Sequence, residues 1–223
     1  MPTFRAAIFD WDGVIIDSHD QHEQSWFLLA EELDQPFTTA QFKETFGQRN
    51  QTILPMLGWT DPDDTTRIAE LGDRKEELYR ELIRKDGIDA LPGVTDLLSA
   101  LAHAGIPCGV GSSTPRANID CIAEIIGVQE HFKTVVAAAD VSRGKPDPEV
   151  FMTCADRLDM PPEDCVVFED AHAGIQAAIG GGMKAVALTT THPAGSFENS
   201  GADHIVKDLS EISLEHLSLL FFG

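Results

Sequence analysis

The chain has 223 residues, enough to bury a sizeable core either as one domain with a large insertion or as two domains. Apolar residues make up 43% and charged residues 24%, an ordinary balance for a folded soluble protein. A formal charge of −21 argues against nucleic acid and against an anionic membrane as partner, because both need a basic face. If the substrate is an anion, the few cations must be gathered at its site, together with a metal. Cys108, Cys121, Cys154 and Cys165 show no C-x-x-C spacing and sit in apolar surroundings, so they are expected to be free core thiols in a reducing compartment. The N-terminus carries no signal-peptide h-region and no apolar run is long enough to span a bilayer, which together suggest a cytoplasmic protein.

Ala6–Phe9 is a short apolar run suited to a fully buried parallel strand. It ends in Asp10-Trp11-Asp12-Gly13, two carboxylates spaced by two and then a glycine that permits a tight turn. Two like charges this close are costly unless a cation neutralises them or one holds a proton, and a plain acidic turn is the competing reading. From Ser18 to Asp89 the pattern is helix after helix. Trp26, Leu29, Ala30 and Leu33 mark one face of the first, and Thr38 with Gln41 forms a capping box for a second that ends at Gly47. Thr52–Leu57 gives a third, closed by Gly58, and the acids Asp61-Pro62-Asp63-Asp64 open a long fourth that runs to about Ile83.

From Pro92 onward short apolar runs alternate with helical patterns. Strands are predicted at Ile106–Gly111, Val135–Ala138, Cys165–Phe168 and Ala185–Leu188, with helices at Val94–His103, Arg116–Ile126, Asp147–Leu158 and Ala173–Ile179. Such alternation implies an α/β fold with a parallel sheet covered on both faces, and ligands then sit beyond the strands' carboxyl ends. Three of those ends stand out. After Gly111 come the hydroxyls of Ser112, Ser113 and Thr114, with Pro115 suited to a first helical position and Thr114 to the cap, either an anion pocket or a plainly capped helix. Lys145, before Pro146, is held out of helical geometry, as a surface charge or as a fixed cation for a phosphate. Glu169-Asp170 ends another buried run, and packing does not ask for acids there. With Asp10 and the chain around Asp12 they make an oxygen-rich site suited to Mg2+, while zinc is disfavoured because no Cys/His cluster accompanies them.

Asp10-x-Asp12-Gly13, Ser112, Lys145 and Glu169-Asp170 resemble, in order and each after a predicted strand, the four motifs of the haloacid dehalogenase superfamily. The stretches Gly13–Ser18, Gly144–Pro148 and Phe168–Ala178 are most similar to the branch that holds β-phosphoglucomutase and small sugar-phosphate phosphatases. The resemblance implies a Rossmann-like α/β core, a parallel sheet flanked by helices, over residues 1–17 and 90–223, with an inserted all-helical cap over 18–89. It implies that Asp10 is the nucleophile and forms an aspartyl-phosphate, and that Asp12 is the general acid and base. Ser112, Ser113 and Lys145 would bind the phosphoryl group. Mg2+ would be held by Asp10, Asp12 through its carbonyl, Glu169 and Asp170.

The cap would choose the substrate. Arg49, in the loop Gly47-Gln48-Arg49-Asn50, either grips a substrate or is an exposed arginine. Lys75 shares a helix face with Leu71, Leu78 and Leu82, so it either snorkels or points into the cleft. His22, one turn before Trp26, is either a proton carrier, as a histidine is in the mutases, or a buried helix histidine. Arg116 either reaches a second anion or lies on the surface. The arginine falls one place early relative to the mutases' loop, and Pro115-Arg116 stands where they tend to have lysine and asparagine. A phosphatase of small phosphorylated metabolites, sugar phosphates among them, is therefore expected ahead of a β-phosphoglucomutase-like phosphotransferase. A dehalogenase or a phosphonate hydrolase would not need Asp12, and a silent binding module would not need the full catalytic set. The expected partner is a small phosphorylated metabolite, the protein being a monomer or weak homodimer, with Leu219-Leu220-Phe221-Phe222 either packing back or meeting a second copy.

Overall fold

The computed structural model describes residues 4–45 and 48–221. It divides into two compact units, one of the residues up to Asp17 with those from Asp89 onward, the other Ser18–Ile88. Among the described residues no helix is long and apolar enough to cross a membrane.

The Ser18–Ile88 unit contains α1 (His19–Glu32), α2 (Thr39–Thr45), α3 (Asn50–Met56) and α4 (Thr65–Asp86). Trp26, Leu29 and Ala30 are buried at helical spacing on α1, and they share one core with Phe42, Ile53, Leu54 and Leu71. Leu33, expected on the same face, is half-buried and caps the helix. Thr38 accepts a hydrogen bond from the Gln41 amide and donates one to its side chain, the reciprocal bonding that starts α2. The end expected at Gly47 lies outside the described residues. Helix α3 begins two residues before the expected Thr52, because Asn50 and Gln51 add no apolar signal. Helix α4 starts later than Asp61. Asp61 instead accepts from the Asp63 amide in a turn, and Asp64 is the cap, accepting from Arg67 N at 2.9 Å. At its far end α4 continues past Ile83 through the exposed Arg84-Lys85-Asp86, where the two cations suit the helix dipole.

The second unit is built on β1 (Ala6–Phe9), β2 (Cys108–Gly111), β3 (Phe132–Val136), β4 (Cys165–Glu169), β5 (Lys184–Leu188) and β6 (His204–Val206). All six pair in parallel, in the order β3-β2-β1-β4-β5-β6. Every residue of β1, β2 and β4 is buried, as expected of strands covered on both faces. Parallel pairing needs a crossover between successive strands, and the helices here are α5 (Val94–His103), α6 (Arg116–Ile125), α7 (Glu149–Leu158) and α8 (His172–Gly180), with α9 (Leu214–Leu219) after β6. Ile8, Val150, Phe151, Val167 and Ile175 belong to one core cluster. Phe9 stacks on Phe168 at 4.7 Å across the β1–β4 pair, a contact worth about 0.5–1.5 kcal/mol beyond its buried area.

The edge strands depart most from the expected pattern. Strand β3 begins at Phe132 and stops before Ala138, because on an edge only Val136 is fully buried and the apolar run marks only its end. Strand β6 and helix α9 are short, half-exposed elements without a clear period. Pro115 occupies the cap of α6 rather than its first turn. Helix α7 starts at Glu149, while Asp147 precedes it and accepts from the Glu149 amide. All four cysteines are buried and free, and burial pushes the Cys108 and Cys165 thiols up to about 12. Phe221 packs back onto Phe4 at 5.9 Å, whereas Phe222 lies outside the described residues.

Candidate active site

The strand order reverses direction between β1 and β4, and the chain leaves these two strands side by side. Asp10 follows β1, its amide bonded to the Phe168 carbonyl at 3.0 Å, while Glu169 ends β4 and Asp170 follows it. Asp10, Glu169 and Asp170 each place an oxygen within 4.8 Å of the others. Among the described residues no other group of three or more His, Cys, Asp or Glu is gathered so closely. Lys145 comes to the same point from the loop before α7. Its Nζ lies 2.9 Å from Asp10 Oδ1 and 2.6 Å from Glu169 Oε1, and 4.8 Å from the centre of the Phe151 ring. The loop is anchored by Glu149, whose carboxylate accepts from the amides of Ser142 and Arg143.

Electrostatics follows from this crowding. Burial pushes the Glu169 carboxyl up, with Asp10 and Asp170 adding to the rise and Lys145 opposing it. Asp170 is raised in the same way, by burial first and then by Asp10. Burial would lower the Lys145 ammonium, but Asp10 and Glu169 outweigh it and hold the value above the usual lysine range. Three carboxylates thus share one cation, and all the donors are oxygen. That set fits a hard divalent cation such as Mg2+ and does not fit zinc.

Two glycines let the acids come this close. Gly13 has φ 77°, and a Cβ there would fall 2.2 Å from Asp170 Oδ2. A Cβ on Gly174 would fall 1.7 Å from Glu169 Oε1. Neither position admits a side chain without moving a buried carboxylate.

The Asp12 side chain is outside the three-acid group and accepts a hydrogen bond from the Thr114 hydroxyl. This corrects the expected role of Thr114, which bonds Asp12 rather than capping α6. Ser112 is buried at the end of β2, its hydroxyl oxygen accepting from the Thr114 amide, while Ser113 is exposed. Arg116 is exposed and ion-paired with Asp120 at 2.7 Å. In the helical unit Lys75 does not snorkel. It is 2% exposed, with Nζ 2.7 Å from His22 Nδ1 and 3.1 Å from Glu76 Oε1. His22 stacks on Tyr79 at 4.1 Å, and burial, reinforced by Lys75, lowers its pKa to about 3. Arg49 is exposed at the N-cap of α3.

One further strand end, which no charge or apolar break marks in the sequence, reaches the site. Directly after β5 stand Thr189-Thr190-Thr191-His192, a run of hydroxyls of the kind that drew attention after β2. Thr190 donates to the Gly13 carbonyl and Thr191 to the Asp170 carboxylate.

A family model described as haloacid dehalogenase-like hydrolase matches residues 4–182. The chain is 37% identical over 218 residues to the chloroplastic 5-amino-6-(5-phospho-D-ribitylamino)uracil phosphatase of Arabidopsis thaliana, a match covering 96% of this chain and 57% of that protein. The chain therefore spans little more than half the length of that relative. It is 35% identical over 218 residues to the β-phosphoglucomutase of Bacillus subtilis, covering 96% of this chain and 93% of that protein. Among solved structures, a haloacid dehalogenase hydrolase of family IA, variant 3, from Entamoeba histolytica superposes with a TM-score of 0.88 over 98% of this chain and 100% of that one. At 23% identity, this likeness speaks to the fold alone.

Proposed function

The chain belongs to the haloacid dehalogenase-like hydrolases, and from that premise we propose that it is a Mg2+-dependent phosphatase of small phosphorylated metabolites, sugar phosphates among them. The observation that carries this reading is the meeting of Asp10, Glu169 and Asp170 with Lys145 at the carboxyl ends of adjacent strands. Asp10 attacks phosphorus in line, so that a bond from its carboxylate oxygen to phosphorus forms as the ester P–O bond breaks. Asp12 gives a proton to the departing alkoxide, then takes one from the water that attacks the aspartyl-phosphate and releases phosphate. Asp12 is the acid suited to proton transfer because Thr114 holds its carboxylate apart from the three that crowd Lys145.

Asp10, Glu169, Asp170 and the Asp12 carbonyl would hold Mg2+, which when bound offsets the repulsion between a carboxylate and a phosphate dianion. Lys145 adds a fixed positive charge, and Ser112 and Ser113 bring hydroxyls at the end of β2. The Ser18–Ile88 unit is assigned the part of a substrate-selecting cap, with Arg49, His22 and Lys75 as its candidate residues. The uracil phosphatase relative supports hydrolysis.

The β-phosphoglucomutase relative supports a second reading, phosphoryl transfer within a sugar phosphate. That reading needs a grip on a second phosphate, and Arg116 is engaged with Asp120 instead. Turnover of p-nitrophenyl phosphate with Mg2+, its loss with EDTA and its absence in Asp10→Asn are the expected results. A panel of phosphorylated metabolites should release inorganic phosphate from some of them, whereas transfer from a sugar bisphosphate without net phosphate release would favour the mutase.

A further inference from the structure

We infer that Thr191 is a positioning residue for the cation site, fixing the Asp170 carboxylate so that one of its oxygens stays turned toward Asp10 and Glu169. The inference rests on the metal reading proposed above. Asp170 has no freedom on its Gly13 side, where its Oδ2 occupies the space a side chain would take. The same oxygen accepts the Thr191 hydroxyl, so Oδ2 is held from two directions and Oδ1 is left for a ligand. His192 completes the arrangement. Its Nδ1 lies 2.9 Å from Thr191 Oγ1 and 3.0 Å from the Asp170 carbonyl, and the Thr191 hydroxyl is itself 3.1 Å from that carbonyl. With the Nδ1–H tautomer donating to the carbonyl, the threonine proton goes to the carboxylate, its nearer acceptor.

The loop that carries Thr191 is itself tied down where it leaves β5. Leu188 pairs with Val206, and the Thr189 amide donates to the Val206 carbonyl at 2.9 Å. Thr190 donates to the Gly13 carbonyl, so consecutive hydroxyls bond the Gly13 turn and the Asp170 carboxylate from one short stretch of chain. A hydroxyl at position 191 therefore reports to the metal ligand through a backbone fixed by the sheet. Thr191 is exposed, so its packing contributes little, and a hydrogen bond to the carboxylate is its evident use. Partners that orient a metal ligand in this way typically account for about 10–100-fold in metal affinity.

The test is direct cation binding to the metal-free protein, by calorimetry with Mg2+ and by electron paramagnetic resonance with Mn2+. Thr191→Val should weaken both about 10–100-fold, and Thr191→Ser should recover to within about threefold of the original protein. The metal-free unfolding midpoint of Thr191→Val should not move. Valine binding as tightly as threonine overturns the inference, as does serine failing to rescue, or an affinity loss that tracks a fall in the metal-free midpoint. Asp170→Asn separates the two levels. If it abolishes binding that Thr191→Val leaves intact, only the inference fails, whereas an original protein that binds neither cation removes the metal reading and the inference together.

Discussion

Each unit buries a lysine beside a glutamate, and the two lysines stand in opposite electrostatic situations. Lys145 meets Asp10 and Glu169, with Asp170 close behind, so three carboxylates surround one ammonium and negative charge is left over. Lys75 meets Glu76 and His22, and burial keeps that histidine neutral, so lysine and glutamate offset each other. The acids respond accordingly. Glu169 and Asp170 are raised, by burial first and then by the neighbouring carboxylates, as in a site short of positive charge. A buried surplus of carboxylate is costly unless a cation enters, which supports the proposed metal reading of the first site. The second sets a buried lysine against a glutamate and a histidine of the helical unit.

Metal rescue breaks or sharpens this contrast most strongly. Lys145→Met should cut kcat/KM about 10²–10³-fold and lower metal-free stability by about 3 kcal/mol, because it strands buried acids without their cation. Mg2+ should restore much of that stability through binding to the folded state. Lys75→Met should cost about 2 kcal/mol, less because Asn50 still donates to Glu76 at 2.8 Å, and Mg2+ should restore none of the loss. Urea unfolding with Mg2+ and with EDTA reads both variants, and equal rescue of the two would dissolve the distinction.

A smaller effect is the pH slope. His22 is lowered from 6.5 to about 3 on folding, so below pH 6.5 the unfolded chain takes up a proton that the folded chain refuses. Stability is therefore full above 6.5 and falls as pH falls toward 3, by at most about 1.4 kcal/mol per pH unit. Glu169 and Asp170, raised on folding, have the opposite sign in metal-free protein: their penalty is absent at low pH and grows as pH rises through the raised values. His22→Asn should flatten the loss of stability between pH 7 and 5, measured as the urea midpoint. An unchanged slope would place the proton uptake elsewhere.

The buried strands and the acids beyond them were legible because each rests on one local signal. Ala6–Phe9 and Cys165–Phe168 are unbroken apolar runs, and Asp10, Glu169 and Asp170 are charges that such runs do not explain. Lys145 was legible as a residue held by the following proline, but its partners lie on strands distant in sequence. Edge strand β6 was not legible, since half-exposed positions leave no period. Thr114 looked like a cap because caps are local, whereas its bond to Asp12 links two strand ends 102 residues apart. Thr191 was missed for the same reason, since its hydroxyl matters only through Asp170. The exposed setting of Arg116 was one of two open readings, whereas Lys75, read as snorkelling or pointing into a cleft, is instead buried against His22 and Glu76, which only packing decides.

The central claim is that Asp10 takes the phosphoryl group, and rapid acid quench of the enzyme mixed with a substrate and Mg2+ tests it most directly. Mass spectrometry of the quenched protein should show a single phosphoryl adduct on the peptide holding Asp10, absent with EDTA and absent in Asp10→Asn. Metal-dependent turnover with the adduct on another residue, or undiminished turnover by Asp10→Asn, would contradict the account.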